Sequence, residues 1–196
     1  MRCFRHGKRI SAAVFILAVL GALAAFPATA GAESVDSLNP LFQTLAAASF
    51  VPVSWERLRT PDQPFSRTRG VFLGRSAGGD WAGAVVHLST PGYGGPIDLL
   101  VAFDTDGGII KVNVFRHTET DCHVLGMTKG KFLDQFIGVS LLDQLRLLVG
   151  LIPRRRGDIQ AMTDGTITSR AVSEAVAEAR IVFHGLWGRN VYGKSP

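Results

Sequence analysis

The sequence predicts an α+β domain, an antiparallel sheet flanked by helices. Three observations carry that expectation. Residues 97–103 and 109–115 are strand-like runs joined by Asp104-Thr105-Asp106-Gly107-Gly108, the composition of a hairpin turn. Residues 71–73 and 82–88 form a second such pair around Ser76-Ala77-Gly78-Gly79-Asp80. Near the C-terminus, Val172, Ala175, Val176, Ala179 and Phe183 recur at three- and four-residue spacing, which places them on one face of a helix.

Taken in order, the chain opens with Arg2, Arg5, Lys8 and Arg9, then an apolar run over residues 10–26, then Pro27-Ala28-Thr29-Ala30-Gly31-Ala32. A basic start, an apolar middle and small residues in Ala-x-Ala spacing are the layout of a secretory signal peptide. The run is 17 residues, short of the ~20 that a comfortable bilayer span needs. Residues 1–32 are therefore read as a cleaved signal peptide, the alternative being an N-terminal membrane anchor. Of 21 Lys+Arg and 16 Asp+Glu, that segment holds four bases and no acid, so the remainder stands at 17 against 16. Such a balance gives no electrostatic footprint for nucleic acid. Cys3 leaves with the signal and Cys122 remains alone, so no internal disulfide is expected. The mature length, about 164 residues, suits one domain with a substantial core.

Residues 33–70 read as an N-terminal helix and linker. The helix falls at 39–48, where Leu41, Phe42, Leu45 and Ala46 share a face, and Pro61-Asp62-Gln63-Pro64 marks the loop. The domain itself is placed at 71–185. Thr90-Pro91-Gly92-Tyr93-Gly94-Gly95-Pro96 breaks the chain between the two strand pairs. Leu99 to Phe103 is apolar throughout, which suits an interior strand, whereas Val112 and Val114 alternate with polar residues, which suits a strand with one wet face. The turn at Asp104 superficially resembles a calcium loop, but the twelfth position is Phe115, not Glu. A short helix is expected over 129–137. Residues 141–152 are apolar but interrupted by Asp143, Gln144, Arg146 and Gly150, and read as core-covering or partner-facing structure. Arg154-Arg155-Arg156 reads as a solvated loop, and residues 186–196 as a tail.

The chemistry concentrates in Thr163-Asp164-Gly165-Thr166-Ile167-Thr168-Ser169, immediately ahead of the helical pattern. Ser and Thr there are helix-start signals. The first helical turn leaves backbone N–H groups without intrahelical partners and carries positive partial charge, so it can hold a phosphate. Thr166 also offers an oxygen that can be esterified. Among His117, Glu119, Cys122 and His123 no Cys-x-x-Cys or His-x-x-x-His pair accompanies the single ligand types, so they are not read as a metal site.

This stretch resembles the signature of the FMN-binding domain family, a Thr-Gly-Ala-Thr-x-Thr-Ser run that carries FMN through a threonine phosphoester. That family includes subunits of the sodium-translocating NADH:quinone reductase and of the Rnf electron-transport complex. Gly92-Tyr93-Gly94-Gly95-Pro96-Ile97, Asp104 and His117-Thr118-Glu119-Thr120 resemble the same family in the same order. The departures are Asp164-Gly165 for the family's Gly-Ala, Gln160 for a common acidic residue, and Asp121-Cys122-His123-Val124-Leu125-Gly126 for its Pro-Gly-Leu-Gly loop.

The resemblance implies a curved antiparallel sheet flanked by helices and an FMN held between two loops. Thr166 would carry the phosphate, with Thr163, Asp164, Gly165, Thr168 and Ser169 around it. Glu119, Thr120, Leu125 and Gly126 would border the ring. It further implies an exported electron carrier, periplasmic or on the outer face of the cytoplasmic membrane. That carrier would serve membrane or exported redox proteins and depend on a separate flavin transferase. The alternative is a non-redox accessory or sensory module of the same fold that has lost flavinylation.

Overall fold

The computed structural model describes residues 54–58, 67–120, 126–127 and 131–192, with side chains described as far as residue 186. The signal segment, the helix expected at 39–48, the loop at 61–64 and residues 121–125 lie outside these. Five strands, β1 (Ser54–Leu58), β2 (Thr68–Arg75), β3 (Trp81–Pro91), β4 (Pro96–Phe103) and β5 (Ile109–His117), form one antiparallel sheet in chain order. Both expected hairpins are present, with their strands longer than the sequence implied. In the first turn Gly79 N–H donates to Ser76 O, 2.9 Å. In the second, Asp104 Oδ1 accepts from the amides of Asp106 and Gly108, 2.9 and 2.8 Å, so this carboxylate organises its own turn.

Alternation sorts the strands into two faces. Val71, Leu73, Val86, Leu88, Leu99, Val101 and Phe103 enter the main core. Phe72, Val85, Leu100 and Ala102 join Trp55 in a second cluster. β4 is buried on both faces from Ile97 onward, which is why it reads as an unbroken apolar run. β5 closes one edge, and its exposed Lys111 and Arg116 mark the wet side.

The long helix α1 (Thr166–Tyr192) lies over β3 on the main-core face. All five residues of the expected stripe are fully buried. Ala175 and Ala179 add little bulk, which lets the helix approach the sheet closely. Phe183 stacks on Phe103 at 4.6 Å and on Trp81 at 5.6 Å between ring centroids. The middle of α1 is fixed to the start of β2 by Glu178. Its Oε1 accepts from Arg67 N–H, Thr68 N–H and the Thr68 hydroxyl at 2.9–3.0 Å.

The structure departs from the sequence reading at several places. The stretch taken as linker contains β1, whose Trp55 is buried. Of the helix expected at 129–137, the described residues form a 3₁₀ turn, Leu133–Phe136, and Lys131 at φ +59° takes the left-handed conformation that a right-handed helix cannot include. Segment 141–152 divides: Leu141, Leu145 and Leu147 pack on the core, while Leu142, Val149, Leu151 and Ile152 face outward. Within it β6 (Arg146–Leu148) pairs in parallel with β7 (Asp158–Gln160). The C-terminal stretch taken as a tail continues α1 to Tyr192.

Candidate functional site

The turn before α1 is tight. Gly165 N–H donates to Met162 O, 3.1 Å, and Ser169 N–H donates to Gly165 O, 2.8 Å, the first helical bond. Gly165 is therefore the capping residue, and the amides of Thr166, Ile167 and Thr168 precede any intrahelical partner. Asp164 sits at φ +58°. Asp is one of the few non-glycine residues that tolerate this region.

The hydroxyls of this stretch divide by role. Thr168 and Ser169 are fully buried. Ser169 Oγ accepts from Met162 N–H, 2.9 Å, bracing the turn against the helix. Thr168 Oγ1 donates to Glu119 Oε2, 2.9 Å. Thr166 is half-buried and Thr163 is exposed.

Glu119 joins the two halves of the site. It is buried, and its other oxygen, Oε1, accepts from Gly94 N–H at 3.0 Å. One carboxylate thus ties the glycine turn between β3 and β4 to the start of α1. The fit is close: a Cβ at Gly92 would come to 2.0 Å from Glu119 Oε1. Gly95 has φ +136°, and a Cβ there would meet Thr118 Oγ1 at 2.1 Å. The turn is closed by Gly92 N–H donating to Gly95 O, 2.7 Å, and by the Thr118 hydroxyl donating to Gly94 O, 3.1 Å.

Between these walls lies a cleft of about 490 Å³, lined by Tyr93, Thr120, Asp164, Gly165, Thr166, Ile167 and Thr168. That volume falls within the range of cofactor and small-molecule sites. Its donor set suits a phosphate, which the helix-start amides and the positive end of the helix dipole stabilise. Asp164 is the charged residue among those lining it. Its carboxylate opposes an anion, so among the described lining residues attraction rests on backbone groups rather than on a guanidinium or ammonium.

Of the residues singled out from sequence, Thr120, Asp164, Gly165, Thr166 and Thr168 converge on this cleft. Glu119 and Ser169 stand behind its walls and hold them. Thr163 lies on the exposed turn, and Gly126 lies near Met162, whose Sδ a Cβ at Gly126 would meet at 2.9 Å. Leu125 lies outside the described residues. Two lining residues were not singled out, Tyr93 and Ile167, exposed at 63% and 58%. The signal for Tyr93 was present, an aromatic side chain in a turn otherwise made of glycine and proline.

Residues 92–180 match the family model of the FMN-binding domain. That span begins at the glycine turn and ends within α1, so it contains both walls of the cleft. The chain is 31% identical over 116 residues to one subunit of the Na(+)-translocating ferredoxin:NAD(+) oxidoreductase complex of Acetobacterium woodii, covering 59% of this chain and 56% of the relative. It is 39% identical over 95 residues to the corresponding subunit of the proton-translocating ferredoxin:NAD(+) oxidoreductase complex of Clostridium ljungdahlii, covering 48% and 50%. The chain thus spans about half the length of the curated relatives it matches. Among solved structures, NqrC of Shewanella oneidensis superposes with a TM-score of 0.55 over 79% of this chain and 90% of that one, at 18% identity, which is a likeness of fold. Over residues 92–180 the chain carries an FMN-binding domain homologous to these subunits of ion-translocating oxidoreductase complexes, and FMN is the cofactor these likenesses indicate.

Proposed function

We propose that this chain is an exported electron-transfer flavoprotein whose FMN is tethered through a phosphoester to Thr166. The observation that carries the reading is the position of Thr166. It is the first residue of α1, half-buried, on the wall of a cleft of about 490 Å³. A threonine sunk in apolar packing could not be esterified, and one without an adjoining cleft could not seat a three-ring heterocycle. Around a phosphate at Thr166, the helix-start amides supply the hydrogen bonds. Thr120 and Tyr93 border the cofactor from the opposite wall. Glu119 and Ser169 act one layer back, by fixing the walls.

An ester also answers the charge of Asp164. A phosphate monoester carries nearly two negative charges at neutral pH, as phosphorylated side chains do. Esterified to Thr166 it is a diester with one. The bond therefore both retains the cofactor and reduces the repulsion from that carboxylate. FMN supplies the redox chemistry when bound; the chain positions it and tunes its surroundings. A tether suits a carrier outside the cytoplasm, where lost FMN is not replaced from the cytoplasmic pool. Attachment needs a flavin transferase, and the redox partners are membrane or exported proteins.

Native-source protein, or protein co-expressed with a flavin transferase, is expected to be yellow. Its colour should stay with the polypeptide after denaturation, and Thr166→Ala should remove it. Yellow protein that loses colour on denaturation would show a non-covalent site. Colourless native protein would favour the non-redox alternative, for which Asp164 is the supporting feature.

A further inference from the structure

The aliphatic residues around the crossover from β6 to β7 are placed where water should disfavour them. Leu142 is 97% exposed, Ile152 80%, Leu151 61% and Val149 56%. Val149, Leu151 and Ile152 fall on one short connection, and exposed apolar side chains grouped along the chain in this way mark interaction surfaces. Arg154, Arg155 and Arg156 follow directly and are also exposed.

The local acids leave those guanidinium groups available. Over residues 141–160 the bases are Arg146, Arg154, Arg155 and Arg156 and the acids Asp143 and Asp158, a balance of four minus two, or +2. Asp158 is buried and committed. Its Oδ1 accepts from Arg146 at 2.7 and 2.9 Å, and its Oδ2 accepts from the backbone amides of Arg154 and Arg155. Asp143 accepts from Ser140 N–H and faces Arg156 electrostatically. Asp143 is therefore the acid that offsets part of the triple-arginine charge.

We infer that this crossover docks onto the surface of an anionic lipid bilayer. The aliphatic side chains would enter the boundary between headgroups and acyl chains, and the arginines would meet the lipid phosphates. What favours lipid over a protein partner is the exposed aliphatic set running directly into three exposed arginines, the make-up of a surface that meets acyl chains and phosphates together. Arginine can also keep its charge among headgroups while its stem lies along apolar surface. Leu148 O accepts from Ala161 N–H at 2.8 Å, so the crossover begins beside the strand that leads into the Met162–Gly165 turn. The inference does not depend on what the cleft holds.

The test uses the full chain with Cys3→Ser and Cys122→Ser, and a polarity-sensitive fluorophore on Ile152→Cys. Vesicles of phosphatidylcholine with phosphatidylglycerol, 1:1, are compared with pure phosphatidylcholine. A second reporter on Ala77→Cys, in the β2–β3 turn, controls for vesicle association that is not specific to the crossover. The expected result is a blue shift at position 152 on anionic vesicles only, with none at position 77. Replacing Arg154, Arg155 and Arg156 by Gln should raise the lipid concentration for half-maximal shift about 100-fold, from roughly five-fold per arginine. Leu151→Ser should weaken the shift as well. The inference is overturned by equal shifts at both positions, by equal shifts on both vesicle types, or by a triple variant that behaves like the parent. A shift that grows with protein concentration without lipid would assign the face to a second copy of the chain and overturn it too.

Discussion

Glu119 is the residue on which the geometry of the site depends most. Each of its oxygens serves a different wall, Gly94 N–H on one side and the Thr168 hydroxyl on the other. Glu119→Ala leaves two buried donors without their acceptor and should destabilise the protein by about 2–4 kcal/mol in urea unfolding. It should also lower flavin loading. Glu119→Gln keeps one acceptor and should fall between. At Asp164 the expectation is the reverse. Asp164→Asn preserves a residue type tolerant of φ +58° while removing the charge beside the phosphate. Flavin loading should rise. Loading that falls would mean the carboxylate assists the site. Sequence patterning located this stretch because hydroxyls and glycine ahead of an amphipathic run have a physical meaning at a helix start. It could not say which hydroxyl points where. Thr168 and Ser169 look equivalent to Thr166 in one dimension, yet they face inward, and only three-dimensional packing against Glu119 and Met162 separates them.

At the scale of elements, α1 and the two hairpins were legible because each carries a local signal, a 3.6-residue period or a turn composition. β1, β6 and β7 were not. Each is five residues or fewer, and their strand conformation depends on partners distant in the chain. The parallel β6–β7 pair is stabilised by Asp158 rather than by an alternating pattern. Hydrogen bonds from Arg154 N–H and from Arg146 hold the Asp158 carboxyl below the usual carboxylate range. The unfolded chain therefore takes up that proton first as pH falls. The Asp158 contribution is fully present above about pH 4 and lost on acidification through the lower folded value. Asp158→Asn should flatten the acid limb of the stability curve and expose the 149–157 crossover to protease at neutral pH. Phe183 tests the helix–sheet contact. It is fully buried between Phe103 and Trp81, so Phe183→Ala should lose about 3–5 kcal/mol. A loss under about 1 kcal/mol would mean the site collapses around the vacancy or that the helix packs elsewhere.

For the whole molecule, one sheet carries two apolar clusters, and the second includes a titration. His87, against Phe115 at 5.3 Å, has its pKa lowered from 6.5. Burial is the leading cause, opposed by Asp98 and reinforced by Arg116, Arg69 and Arg57. A lowered folded value means the unfolded chain binds the proton first. Stability should therefore be constant above about pH 7 and fall as pH drops from 6.5 through the folded value. His87→Leu should remove that slope in urea midpoints taken between pH 7.5 and 5.5, values chosen to bracket the reference pKa of about 6.5. This burial, like the buried Glu178, follows from how distant strands and α1 meet, and no local pattern announces it. The central claim, a covalent flavin on the first residue of α1, is tested most directly by the intact mass of protein purified from its native source and denatured. The account predicts a gain of about 440 Da over the polypeptide, carried on the peptide containing Thr166 and absent from Thr166→Ala. A polypeptide at its unmodified mass, or a gain that survives Thr166→Ala, would contradict it.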